Sequence, residues 1–186
     1  MIKEQLKKIE IGIVIKQDIS ENQVKKVYLG IGSNLGNKKL NIEKAKTKLQ
    51  SNNIKILKCS NSYETESWPD PRNPRFINII LEIGTILKPL SLLKICRTIE
   101  ADLGRKRSKK NDPRTCDIDI IDYNEKVLKN KNKGLNLPHK SLEKRNFVLI
   151  PLFDINKSWI HPKSKINIVK LINSLPIKDL RSIKQI

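Results

Sequence analysis

The chain has 186 residues, 38% apolar and 31% charged, the size and balance of about one globular domain rather than a disordered or fibrous chain. Lys and Arg total 38 against 19 Asp and Glu, a net charge of +19, which draws polyanions unless it is mostly lysine spread over solvated faces. The most apolar stretches, 77–81 (broken by Asn78) and 147–153, fall far short of the ~20 residues of a membrane span.

Only eight of the 38 basic residues are Arg, so where those few sit is more informative than the total. Cys59, Cys96 and Cys116 contain no C-x-x-C pair and lie in apolar context. They are expected to be buried free thiols of a reducing cytosol rather than a disulfide framework or a zinc cage.

In chain order, residues 1–26 read as an N-terminal extension. Ile9, Ile11, Ile13 and Ile15 alternate with Glu10, Gly12, Val14 and Lys16 in the manner of an edge strand, and 17–26 is a polar linker. The acids near the start and the missing apolar core with a small-residue cleavage site indicate no secretory or transit peptide.

The domain proper, 27–186, opens with a strand over 27–31. Gly30, Gly32 and Gly36 follow neither the G-x-G-x-x-G nor the Walker spacing, so they are expected to permit a tight strand-to-helix turn. Asn37 caps a helix with Ile42, Ala45 and Leu49 inward. A strand over 54–65 and a loop over 68–74, with three prolines, precede a strand over 76–87. Pro89 starts a helix striped by Leu92, Cys96, Ile99 and Leu103, and Gly104 suits its left-handed end. Residues 105–114, without one apolar side chain, read as a mobile surface loop. Residues 116–123 are a strand turning at Asn124 and Glu125, 129–134 a loop, 147–153 a buried apolar strand, and 166–175 a helix or a strand-helix mixture.

This order is that of a split β-α-β unit. It predicts an α+β, ferredoxin-like antiparallel sheet with helices packed on its faces, the two helices of the split unit sharing one of them.

The chemistry concentrates in three places. Asp117 and Asp119 alternate on a strand, so both carboxylates leave the same face while Cys116, Ile118 and Ile120 point to the core. Two such acids, roughly 7 Å apart at Cα, can share hard cations, or they are two ordinary solvated acids. Arg105, Arg107 and Arg114, three of the eight Arg, lead into that strand and suit phosphates. His139 and Arg145 flank the 147–153 segment. Trp68 and Phe147 can sandwich a flat heterocycle whose edge Asn78 reads, or they serve only packing.

Gly32-Ser33-Asn34-Leu35-Gly36-Asn37, Tyr63-Glu64-Thr65, Phe76-Ile77-Asn78, Pro113-Arg114-Thr115-Cys116-Asp117-Ile118-Asp119-Ile120, Pro138-His139 and Arg145-Asn146-Phe147 occur in this order. Over about 27–155 the chain resembles the 6-hydroxymethyl-7,8-dihydropterin pyrophosphokinases of folate biosynthesis, which transfer pyrophosphate from ATP to the pterin hydroxymethyl group and release AMP. The resemblance implies that Asp117 and Asp119 hold two Mg²⁺ ions. Arg105, Arg107 and Arg114, with Asp119, would serve catalysis, and Glu100, Ile120, His139 and Arg145 would lie along ATP. Thr65, Glu66, Trp68, Asn78 and Phe147 would bind the pterin. It implies further a cytoplasmic monomer using ATP and the pterin, with no nucleic acid or membrane partner. Lys140, Asp112 and Asn111 depart from the family pattern. The competing class is a basic ferredoxin-like RNA-binding module, which would need aromatics exposed on the sheet for base stacking.

Overall fold

β1 (Lys25–Ser33) alternates so that Val27, Leu29 and Ile31 enter one apolar core while Tyr28 enters a second. The sheet it belongs to therefore has two covered faces. The computed structural model that shows this describes residues 23–68, 70–105, 112–130 and 134–186; the expected edge strand at Ile9–Ile15 lies outside them.

After β1, Gly36 takes the left-handed conformation (φ +68°) and the Asn37 side chain accepts from the Leu40 amide at 3.1 Å, starting α1 (Lys38–Ser51). Ile42, Ala45 and Leu49 face inward as the three-and-four spacing requires. β2 (Lys55–Cys59) and β3 (Tyr63–Thr65) both pair with β4 (Phe76–Thr85). The single strand expected over 54–65 is thus two, and the break has a local cause. The Ser60 hydroxyl accepts from the Ile80 amide at 2.9 Å, taking a ladder position with a side chain.

Pro89 opens α2 (Pro89–Asp102), which buries Leu92, Cys96 and Ile99, and Gly104 follows at φ +82°. β5 (Asp117–Tyr123) runs antiparallel to β1, giving the order β5-β1-β4-β3-β8, where β8 is Lys184–Gln185, with β2 also on β4. This is the ferredoxin-like order, with α1 and α2 over the face of Leu29 and Ile31.

The second face corrects several expectations. Residues 147–153 are not a strand but the body of α3 (Asn146–Ile155), with Pro151 inside it. Asn146, Val148, Leu149, Pro151 and Leu152 are all buried there, and a helix so broadly covered shows no polar stripe to betray its period. Lys129 and Asn130 belong to β6 (Leu128–Asn130), which pairs with β7 (Leu135–Leu137). The end of the chain forms α4 (Ile168–Asn173), α5 (Ile177–Arg181) and β8 (Lys184–Gln185), the last pairing with β3. Cys96 and Cys116 are buried free thiols, but Cys59 on β2 is exposed. Among the described residues no helix is long and apolar enough to cross a membrane.

The second core surrounds a polar knot. The Trp159 indole N–H donates to Asp122 Oδ2 at 2.9 Å, both residues being buried, and the Tyr28 hydroxyl donates to Glu82 at 2.9 Å. Trp159→Phe keeps most of the ring and removes the donor, leaving a buried carboxylate short of a partner. It is expected to cost about 1–3 kcal/mol in urea unfolding; an unchanged midpoint would show that the hydrogen bond is replaced.

Candidate active site

Strand β5 turns Ile118 and Ile120 into the core and Asp117 and Asp119 to the opposite face, as alternation demands. On β1, Gly32 stands opposite Asp117 and Gly30 opposite Asp119. No side chain rises between the carboxylates and β4, and a narrow cavity of about 80 Å³ occupies the space. A Cβ on Gly32 would meet Asn78 Oδ1 at 2.9 Å and Phe76 at 3.3 Å; one on Gly30 would meet Ile121 at 3.2 Å. These two glycines form the floor of the cavity, and only Gly36 serves the turn expected of all three.

The cavity brings together Thr65, Glu66, Trp68, Asn78 and Phe147 with Arg114, Asp117, Asp119 and Arg145. Thr65 and Asn78 are tied by a 2.9 Å hydrogen bond from the Asn78 amide to the Thr65 hydroxyl, which orients the Asn78 carbonyl oxygen toward Gly32. Trp68 stands 70% exposed at the mouth, where it can cover an entering ring. Phe76, Ile121 and Val148 line it too and were missed from sequence, since their approach depends on how distant strands and α3 meet.

Around the carboxylates stands a set of cations. The Arg105 guanidinium donates to Asp117 Oδ1 at 2.5 Å and also pairs with Glu100. Arg114 lies 3.4 Å from Asp117, Arg145 3.4 Å from Asp119, and His139 Nε2 3.9 Å from Asp119. Arg114 and Arg145 also lie over the Phe76 and Phe147 rings, at 5.5 and 5.4 Å. The Arg114 Nε–H is buried without a partner among the described residues, a donor left open to a ligand. Arg107 lies outside the described residues, as does most of the loop expected over 105–114. Its described ends are not solvated: Arg105 and Arg114 are largely buried in these pairs.

Glu100 is buried, and accepts from the Ile118 amide at 2.7 Å. Burial pushes its carboxyl above the usual range, against the pull of that amide and Arg105. It lies behind the Asp117–Asp119 strand, fixing both the strand and Arg105. Ile120 corrects an expectation: its side chain is 4% exposed in the core, so it offers no side-chain contact along a nucleotide. Asn34, also unforeseen, accepts from the Arg114 amide at 2.7 Å and donates to Ser67 and the Pro74 carbonyl at 3.2 and 3.1 Å. It joins the Trp68 loop to the Arg114 segment.

Asp119 is raised by burial and by the Asp117 charge, with His139 and Arg145 opposing. Burial lowers His139 from its ordinary value, against the pull of Asp119. Repelling carboxylates on a rigid strand are what a hard dication relieves. The described residues offer no cluster of three or more His, Cys, Asp or Glu for a metal. Two carboxylates with room for water and phosphate oxygens suit Mg²⁺, which is held this way rather than in all-protein cages. Nothing here favours base stacking on the sheet, for Tyr28, Tyr63 and Tyr123 are all buried.

Comparison with known proteins agrees with this geometry. Residues 28–157 match the sequence model of the family described as 7,8-dihydro-6-hydroxymethylpterin-pyrophosphokinase (HPPK). The chain is 40% identical over 136 residues to the 2-amino-4-hydroxy-6-hydroxymethyldihydropteridine pyrophosphokinase of Aquifex aeolicus, covering 73% of this chain and 83% of that one. It is 32% identical to the folic acid synthesis protein fol1 of Schizosaccharomyces pombe over 89% of this chain, but spans only 22% of that protein. Among solved structures, the wild-type HPPK-DHPS of Plasmodium falciparum aligns with TM-score 0.63 at 17% identity, over 82% of this chain and 41% of that one. An HPPK-DHPS in complex with substrates aligns at 0.65 and 16%, over 88% and 46%. At such identity these structures show the fold.

The Asp119 shift has a sign that can be measured. A carboxyl raised in the native state stabilises the fold at low pH, and that contribution is lost as pH rises through its native value. Asp119→Asn in the ligand-free protein is therefore expected to melt above wild type at pH 7, by on the order of 1 °C because the carboxylate is partly solvated. The gap should close as pH falls below the ordinary carboxylate range; a variant that melts lower at pH 7 would show that the cations outweigh the repulsion.

Proposed function

The chain belongs to the 7,8-dihydro-6-hydroxymethylpterin-pyrophosphokinase family, and from that premise we infer that it transfers the terminal pyrophosphate of ATP to the hydroxymethyl group of 6-hydroxymethyl-7,8-dihydropterin in folate biosynthesis. The observation that carries this reading is the single cavity in which a flat-ring site and a phosphate-and-cation site meet above Gly30 and Gly32. The pterin lies between Trp68 and Phe147, its edge toward Asn78 and Thr65 and its hydroxymethyl toward Asp117 and Asp119. Glu66 stands at the same wall. ATP lies against the Arg105–Asp117 side, with Arg114, Arg145 and His139 as phosphate donors and Arg107 closing from the neighbouring loop.

Asp117 and Asp119 would hold two Mg²⁺ ions, which would supply positive charge against the triphosphate. Arg114 and Arg145, each steadied on an aromatic ring, orient the phosphates. Asn78 and Thr65 fix the ring so that the hydroxyl oxygen points at the β-phosphorus. As that oxygen bonds to the β-phosphorus, the bond from that phosphorus to the α–β bridging oxygen breaks, AMP leaves with the bridging oxygen, and the hydroxyl proton is released to water. Positioning and charge stabilisation carry most of the rate. Glu100 acts through its neighbours, keeping Arg105 and the Ile118 amide in place. Residues 27–186 form the catalytic domain, 1–26 an extension, and the enzyme works as a cytoplasmic monomer.

A coupled assay tests this. AMP is expected only when Mg²⁺ and the pterin are both present, and Asp117→Ala or Asp119→Ala should lower turnover by about a thousandfold or more while cooperative unfolding persists. Formation of ADP instead would overturn pyrophosphoryl transfer. Gly32→Ala should raise the pterin KM by roughly tenfold, leaving the ATP KM near wild type; equal effects on both substrates would contradict the placing of the ring over Gly32.

A further inference from the structure

Two short elements wall the pterin side of the cavity: β3, which ends in Thr65, and the first turn of α3, which carries Phe147. Both are held from outside by the same stretch, residues 176–186, which lies beyond the 28–157 matched by the family. β8 pairs with β3, setting Gln185 against Tyr63 and Lys184 against Glu64, and the Ile186 amide donates to the Ser62 carbonyl at 3.0 Å. β3 is only three residues long, so pairing on both sides matters to its placement.

At the other wall, Asn146 is 9% exposed. Its amide nitrogen donates to the Asp179 carbonyl at 2.5 Å and to the Ser182 hydroxyl at 3.1 Å, while its carbonyl oxygen accepts from the Phe147 amide at 2.7 Å. One side chain thus links the terminal segment to the backbone of the ring-stacking residue. Leu180 of α5, between Asp179 and Ser182, packs on the second core.

We propose that residues 176–186 are a brace that sets the spacing of Thr65 and Phe147, and with it the affinity for the pterin, with Asn146 as its positioning residue. The inference rests on the pterin reading above. A wall pre-set at the right spacing need not be ordered when the ring enters, and that saving appears in affinity. Among the described residues no hydrogen bond or ion pair joins 176–186 to Arg105, Arg114, Arg145 or His139; Arg145 lies over the Phe147 ring, so the brace acts first on the pterin and reaches ATP only through that contact. Its last strand buries little: Lys184, Gln185 and Ile186 are exposed, and a role confined to global stability would need more apolar cover.

The test uses the full chain, a variant ending at Ser182, Asn146→Ala and Asn146→Asp. Asn146→Asp keeps the acceptor for the Phe147 amide and loses the donor to the terminal segment. All three variants are expected to raise the pterin KM roughly fivefold while the ATP KM stays within about twofold, beside whatever fall in melting temperature the lost hydrogen bonds bring. If pterin and ATP constants move together, or only the melting temperature moves, the brace is overturned. Should Asn146→Asp keep the wild-type pterin KM, the cap on Phe147 matters and the link to the terminal segment does not. If the wild-type chain turns over the pterin and the variants match it, the brace alone falls; if the wild type does not accept the pterin, the functional reading falls first.

Discussion

The pairing of β1 with β5, which sets Gly32 against Asp117 and Gly30 against Asp119, governs everything above the sheet. The aspartates supply charge and the glycines supply room, and neither is of use without the other. Shifting the pairing by one residue would send the aspartates into the core with Leu29 and Ile31. The apolar partners Ile118 and Ile120 forbid that slip, because they would then leave the core. Hydrophobic burial on one face thus fixes the position of the reactive groups on the other.

Those reactive groups are held in electrostatic tension. Asp117 and Asp119 repel, and burial pushes Asp119 upward; Arg105, Arg114 and Arg145 restrain them. The ligand-free site is a set of cations paired with carboxylates. The +19 charge contributes differently: its many Lys give a broad attractive field, whereas the few Arg do the local gripping.

Much of this was legible in the sequence where a period or a cap is local. The Leu92, Cys96, Ile99 spacing marks α2, Asn37 marks the start of α1, and Asp117 and Asp119 share a face because alternation in a strand admits nothing else. What was not legible depends on neighbours far along the chain. Gly32 becomes a cavity floor only because Asn78 stands across from it, and Ser60 splits a strand only because its hydroxyl finds the Ile80 amide. α3 was hidden by its own burial, with Pro151 masking its period. Ile120 shows a conflict that alternation alone settles: a residue next to the outward Asp119 must look inward with Ile118.

β5 is also the last strand on its side of the sheet, and such a margin invites another chain to add itself. Here Glu100 occupies the Ile118 amide, and the His139 backbone occupies the Ile121 carbonyl. The groups that frame the nucleotide side double as a seal against intermolecular strand addition. A Glu100 lesion therefore carries a colloidal liability as well as a kinetic one, and aggregation of such a protein would report an unsealed margin rather than a failed core.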